Sequence, residues 1–329
     1  MLNPAALEVG LPTNTASLVV ALAEYAAGFA IESSSAIRAA RHCFIDALAN
    51  GLEALHEPEC AALIGPLVPG CLMPGGARVP GTSLELDPAQ AAFCTTLMFC
   101  RQASPGNWLT SGGAFGALLA VADYQGRKAI MEGTPPPKVR DVLAAMIKAV
   151  EIEGVLAVDG TTVRLARLAI TSVVTAQLGG ALGQIVTALS YACTHGGMQI
   201  NTDERCDIDC KDWARADAIS HAVRHACQAV AAGSSYLTQV DALDIADKRL
   251  GAKSWRPHMS FGTVIIDQLA AARRPMAVAE LTMRFHAAVD RHFPLRHTER
   301  IKALFAAPER LDELPVNELL AALVTNGAL

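Results

Sequence analysis

The sequence predicts a mainly α-helical protein, and three observations carry that prediction. Apolar residues make up 52% of the 329 residues but aromatics only 5%, with alanine and leucine dominant. Such side chains suit closely packed helices, whereas a β-sandwich draws on β-branched and aromatic residues. Apolar positions recur at three, four and seven residues in several segments, the spacing of one helix face. The glycine- and proline-dense punctuation is confined to a few loops.

In chain order, the N-terminal third reads as helix. Ser33, Ser34 and Ser35 offer N-caps for a segment in which Ile37, Phe44, Leu48, Leu52 and Leu55 form a stripe. Residues 65–88, GPLVPGCLMPGGARVPGTSLELDP, are dense in Gly and Pro and predict a long ordered loop or a short hairpin. A second loop runs from Gln102 to Gly113. A third, Glu132 to Pro137, is expected to be a flexible surface connection. Val139, Val142, Leu143, Met146, Ile147 and Val150 mark the clearest amphipathic helix. From Leu168 to Thr202 there is no Asp, Glu, Lys or Arg, a length that could span a bilayer. Gly179-Gly180, Gln177, Gln184 and Gln199 interrupt it, and no aromatic or basic girdle flanks it. Two buried core helices joined at the glycine pair are therefore expected, the second carrying Leu182, Ile185, Val186 and Leu189. Val278, Leu281, Phe285 and Val289 outline a later helix. The last helix is expected to start at Pro315 and to bury Leu319, Leu320 and Leu323. There is no repeat of 20 to 50 residues and no alternation of strands with helices, which argues against a doubly wound α/β sheet.

Composition excludes several functions. The net charge is −5, the pI is about 6.0 and no basic face stands out, so no nucleic-acid partner is expected. An acidic substrate would need a local cationic pocket. The nine cysteines include no C-x-x-C pair, which predicts reduced thiols rather than a disulfide framework, a zinc ribbon or an iron–sulfur site. The first eighteen residues, MLNPAALEVGLPTNTASL, contain no basic n-region, compact apolar run or arginine, so a cytoplasmic location is expected.

General catalytic motifs are absent: there is no G-x-S-x-G, P-loop, H-E-x-x-H or dinucleotide fingerprint. His221 and His225 have the four-residue spacing of metal ligands on a helix, but no third ligand lies nearby in sequence. They read as helix-surface histidines, and no metal or cofactor is expected. Cys206 and Cys210 flank Asp207 and Asp209 in what reads as an acidic solvated loop. Lys211 follows, at the start of a helix, where an ammonium beside free first-turn N–H groups can hold a carboxylate. The same lysine also fits a solvated charge at a helix end.

Several collinear blocks turn that balance. IDALANGLEAL (45–55), LIGPLVPG (63–70), GARVPGTSLELDPAQAAF (76–93), GALLAVADY (116–124), VRDVLAAMIKAVEIEGVLA (139–157) and KDWARADAISHAV (211–223) are followed by RHFPLRHTERI (291–301) and LDELPVNELL (311–320). Together they resemble the MmgE/PrpD family of 2-methylcitrate dehydratases, cis-aconitate decarboxylases and related enzymes, with the GARVPGT and LPVNE blocks nearest the 2-methylcitrate dehydratase branch. The resemblance implies an all-helical domain interrupted by a smaller α/β lid. On it, residues 1–250 are expected to be the N-terminal part of the helical domain. Residues 251–275 would be a remnant where most of the lid is missing, and 276–329 the helices returning to the helical domain.

The resemblance also implies site residues. Lys211 matches the family's active-site lysine and Asp217 the acidic residue downstream of it, while Ala216 stands where the family usually has glycine. Trp108-Leu109 match the pair that follows an aspartate-bearing loop in the dehydratases, and Trp108 and the adjoining Asn107 are expected to face substrate. The loop's aspartates are replaced among Ala103 to Asn107. The family's Gly-His-Pro-Ser-Asp motif is absent, so that Thr110 to Phe115 lead directly into the next helix. Arg205 and Arg215 are candidates for a second carboxylate clamp.

Dehydrating a β-hydroxy polycarboxylate needs a base, an acid for the leaving hydroxyl and cations on the carboxylates. The resemblance thus implies a hydro-lyase acting on 2-methylcitrate or a longer alkylcitrate, in the propionate-related methylcitrate cycle or in alkylcitrate-derived maleic anhydride biosynthesis. The altered loop implies an alternative, a catalytically impaired or incomplete paralogue that binds a polycarboxylate or associates with a complete homologue. A homodimer is implied by the family, as is a mitochondrial location as an alternative to the cytoplasm.

Overall fold

Helix starts and stops in this chain are set by a few polar side chains and glycines around long apolar runs. The structure is a computed structural model that describes residues 18–101, 112–156, 163–194, 208–232 and 278–325. The junction at 251–275 and the boundary at residue 250 lie outside the described residues.

The first helices are α1 (Leu18–Gly28), α2 (Ser34–Ala54) and α3 (Pro58–Ala61). Ser33 caps α2 as its sequence suggested: its hydroxyl accepts the Ala36 N–H at 3.3 Å. Ile37, Phe44, Leu48 and Leu52 are all buried. The glycine- and proline-rich stretch forms a small hairpin, β1 (Ala77–Arg78) against β2 (Glu85–Leu86). The strands are antiparallel, with Ala77 opposite Leu86 and Arg78 opposite Glu85. Before the hairpin, Leu63, Leu67, Val68, Leu72 and Met73 are exposed, with Leu67 at 85%.

Asp87 then starts α4 (Pro88–Cys100) by accepting the N–H groups of Ala89 and Gln90 at 3.0 and 3.1 Å. Every residue from Cys94 to Cys100 is buried. This helix packs on α2, on α5 (Ala114–Glu132) and on α9 (Ile208–Ala232). The contact with α5 is close at Gly116, where an added Cβ would meet the Thr96 hydroxyl and come within 2.7 Å of the Thr96 backbone nitrogen. Since backbone atoms cannot rotate aside, Gly116→Ala is expected to lower unfolding stability by about 2–3 kcal/mol in urea titrations. A variant as stable as the parent would show that α4 and α5 separate without cost.

The next helices are α6 (Val139–Leu156), α7 (Val163–Gln177) and α8 (Leu182–Thr194). All six positions of the α6 stripe are buried. The charge-free stretch is indeed split at its glycine pair, where Gly179 has φ +79°, a value glycine adopts without strain. No helix among the described residues is long and apolar enough to cross a membrane.

The last helices among the described residues are α10 (Val278–His292), α11 (Leu295–Phe305), α12 (Pro308–Glu313) and α13 (Val316–Ala322). They pack back onto the earlier helices: α10 on α2, α12 on α6 and α13 on α5. Leu281, Phe285 and Val289 are buried, but Val278, read as part of that stripe, is exposed at the first turn. Pro315 sits at the N-cap of α13, and Leu319, Leu320 and Leu323 are buried.

Charged staples fix the return. Arg41 meets Asp312 through two hydrogen bonds of 2.9 and 2.6 Å. Arg284 donates to Asp46 at 2.9 Å, and the His292 ring donates to the Gly81 carbonyl at 2.6 Å. Asp123 of α5 is fully buried and accepts three hydrogen bonds from Arg78, one from its main-chain N–H at 2.8 Å and two from its guanidinium at 3.1 and 2.7 Å. The same guanidinium donates to the Asn317 carbonyl of α13 at 2.7 Å.

One expectation fails here. The connection from Glu132 to Pro137, read as flexible, is pinned at both ends. Thr134 donates to Ala129, Val316 donates to the Pro137 carbonyl and Val139 donates to Leu314, each at 2.9 Å. A proline run offers carbonyls but no N–H groups, so it serves well as the acceptor edge for a neighbouring segment.

Candidate functional site

Helix α9 holds most of the site residues that can be placed. Its first half lies along α4, with the Trp213 ring edge-on to Phe93 at 6.2 Å between centroids. The two helices run antiparallel: the charges of Arg215 and Asp212 act on the Cys100 thiol at the end of α4, and that of Asp87 at its start acts on Cys227. The second half of α9 meets α8, where Gln184 donates to the Val230 carbonyl at 3.1 Å and Tyr191 lies 6.4 Å from the His225 ring.

Lys211 is half-buried in the first turn. Arg215, one turn on, lies on the same helix face and reaches the buried Asp212 carboxylate at 3.4 Å. Burial pushes the Cys100 thiol up to about 12, so it is no nucleophile at neutral pH. Arg215 and Asp212 therefore lie near the end of α4, with Lys211 one turn before Arg215 on the same helix face. Asn107, Trp108 and Arg205 themselves lie outside the described residues.

Asp217 does not share the Lys211 face. Six residues separate them, which places them roughly 9 Å apart along the helix axis and about 120° apart around it. Asp217 pairs instead with His221, whose Nδ1 lies 3.4 Å from the Asp217 carboxylate and 2.9 Å from its main-chain carbonyl. A carbonyl only accepts, so Nδ1 carries the proton in this contact.

His225 departs from its expected place. Read as a surface histidine, it is buried, only 7% exposed, with its ring 6.2 Å from that of His221. The reason is the position of α9, which has helices packed on more than one side. Among the described residues no three His, Cys, Asp or Glu groups are arranged to hold a metal ion.

Sequence reasoning passed over the acids of α6. Glu151 and Glu153 are both buried, at 2% and 0% exposure. The Oε2 of Glu151 has no hydrogen-bond partner among the described residues, and burial pushes its carboxyl up to about 8. A signal was present: Glu151 continues the four-residue row Val139, Leu143, Ile147, so a carboxylate stands on an apolar stripe.

Comparison with known proteins agrees with the blocks read from the sequence. A family model described as the MmgE/PrpD N-terminal domain matches residues 20–235. The chain is 35% identical over 266 residues to 2-methylcitrate dehydratase of Escherichia coli (strain K12), covering 74% of this chain and 54% of that protein. It is 34% identical over 294 residues to 2-methylcitrate dehydratase of Cupriavidus necator, covering 83% and 60%. It is 38% identical over 225 residues to mitochondrial 2-methylcitrate dehydratase of Yarrowia lipolytica, covering 64% and 43%. The chain thus spans about half the length of the relatives it matches. With the matched region running from α1 through α9 and the helical architecture in place, the chain belongs to the MmgE/PrpD family.

Proposed function

We propose that this chain is a hydro-lyase of the 2-methylcitrate dehydratase type, acting on 2-methylcitrate or a longer alkylcitrate. The observation that carries the reading is the family match together with the cationic first turns of α9, where Lys211 and Arg215 share one face. In the reaction a base takes a proton from the carbon beside a carboxylate, the C–O bond to the hydroxyl breaks, and a carbon–carbon double bond forms. The departing hydroxide takes a proton and leaves as water. Lys211 and Arg215 hold carboxylates and stabilise the charge that builds on them as the proton leaves. The Asp217–His221 pair, on another face of the same helix, is the candidate acid–base couple in this reading. Asn107, Trp108 and Arg205 complete the substrate contacts in this reading.

The test is direct. Purified protein is incubated with 2-methylcitrate and with a longer alkylcitrate while alkene formation is followed in the ultraviolet. Turnover is expected, and Lys211→Met is expected to lower kcat/KM about 100-fold with the fold intact. Folded protein that yields no alkene from either substrate would sink the reading.

A second reading, binding without turnover, is favoured by the sequence from Ala103 to Phe115, which has no aspartate and no histidine. Its signature is Lys211-dependent heat of binding for the tricarboxylate with no alkene formed. Self-association, or association with a longer homologue, is part of either reading. It is supported by the exposed Leu67, Val68, Leu72 and Met73. Sedimentation at micromolar concentration tests it, and a monomer would count against it.

A further inference from the structure

A groove of about 690 Å³ lies between α1, the Pro135–Pro137 connection, α6 and α7. Most of its walls are apolar: Ala26, Ala144, Ala145, Val173 and Ala176 line it. One side chain is out of character. Lys148 is half-buried in this wall, and its Nζ donates one hydrogen bond, to the Ala26 carbonyl near the end of α1 at 2.8 Å. An ammonium carries three N–H donors, so capping α1 leaves two unused.

Among the described residues no carboxylate compensates Lys148. Burial alone shifts its affinity for a proton, and the direction is downward, with no neighbouring acid opposing it. Asp141, the acid that lines the groove, accepts the main-chain N–H of Lys138 at 2.8 Å. The two glutamines on the rim are held by main-chain carbonyls: Gln125 donates to Gln177 at 2.8 Å, and Gln177 to Leu118 at 3.1 Å. Lys138, at the groove's edge, pairs with Glu313, and Asp141 does not act on Lys148, so the groove offers one partly desolvated cation amid alanine, valine and proline with no acid paired to it among the described residues.

We propose that this groove binds a small monocarboxylate with a short apolar chain, its carboxylate on Lys148 and its chain along the alanine wall. The carboxylate would supply the missing counter-charge and relieve the cost of a buried ammonium. The alkyl chain would cover apolar surface that water now wets. This site is separate from the cations of α9 and does not depend on the dehydratase reading.

The experiment is calorimetric titration of the full chain with hexanoate, acetate and 1-hexanol, backed by thermal melting. Hexanoate is expected to bind saturably, and more tightly than acetate, which lacks the chain, or hexanol, which lacks the charge. Lys148→Met is expected to weaken hexanoate about tenfold or more, whereas Lys148→Arg retains it. Ala145→Phe, which fills the groove and keeps the lysine's charge, is expected to abolish binding too. It serves as the second arm should Lys148→Met fail to fold. Lys211→Met is expected to leave hexanoate affinity unchanged. The proposal is overturned by the absence of saturable hexanoate binding. It is equally overturned by equal affinities for hexanoate and hexanol, by binding that survives Ala145→Phe, or by loss of binding in Lys211→Met.

Discussion

Replacing Asp123 by alanine is expected to cost about 3–5 kcal/mol of unfolding stability, among the largest losses from any single substitution in this chain. Asp123 is fully buried in α5, and the Arg78 side chain that it binds is itself largely buried. Burial pushes the Asp123 carboxyl up, while the Arg78 guanidinium and main-chain N–H hold it down. Removing the carboxylate leaves a guanidinium in the interior with the Asn317 carbonyl as its remaining hydrogen-bond acceptor among the described residues. The loss is therefore the price of an uncompensated buried charge, not the worth of one ion pair. A double variant, Arg78→Met with Asp123→Leu, removes both charges and is expected to regain most of the stability. Urea titration of the three variants reads this directly. A cost below about 1 kcal/mol for Asp123→Ala would mean that water reaches Arg78. Hydrogen exchange adds a local readout, since α13 is tied to the same guanidinium and should lose protection first.

The second large effect depends on pH. Glu151 has an ordinary carboxyl value of 4.5, and burial in the fold pushes it up to about 8. Between those values the folded chain keeps a proton that the unfolded chain has released. Its contribution is favourable at acid pH and is lost as pH rises from 4.5 through 8, with a ceiling of about 5 kcal/mol. Glu151→Gln has no proton to lose. The variant is expected to gain on the parent as pH rises, ending a few kcal/mol more stable at pH 8.5 than at pH 5.5, measured relative to the parent. Comparing variant with parent at each pH cancels the other titrating groups. A difference that stays constant with pH would show that Glu151 is ionised throughout.

Some of these elements are legible in the sequence and others are not, for physical reasons. The stripes of α2 and α6 were legible because each helix has a buried face and a solvated one. The split between α7 and α8 was legible because a glycine pair interrupts an uncharged run. Helix α4 leaves no such mark: from Cys94 to Cys100 it is buried on every side, so no alternation of apolar with polar residues betrays its period. In the site, Lys211 and Arg215 share a face that their four-residue spacing announces. The gathering of Arg215 and Asp212 around Cys100 joins positions more than a hundred residues apart, and no local pattern encodes it. His225 misled for a related reason, because exposure belongs to the packing of α9 and not to the residue.

The Arg41–Asp312 contact has a consequence in time as well as in space. Its partners are 271 positions apart, and α10 covers α2 across a similar separation. At synthesis rates of roughly 5–20 residues per second, α2 leaves the ribosome some 15–50 s before the segment that covers it exists. Through that interval the apolar flank of α2 must be shielded by chaperones or risk meeting the same flank on a neighbouring nascent chain. Contacts of such long range also slow closure once synthesis is over. The staple that holds the finished fold together thus makes α10 to α12 the gatekeepers of its folding yield.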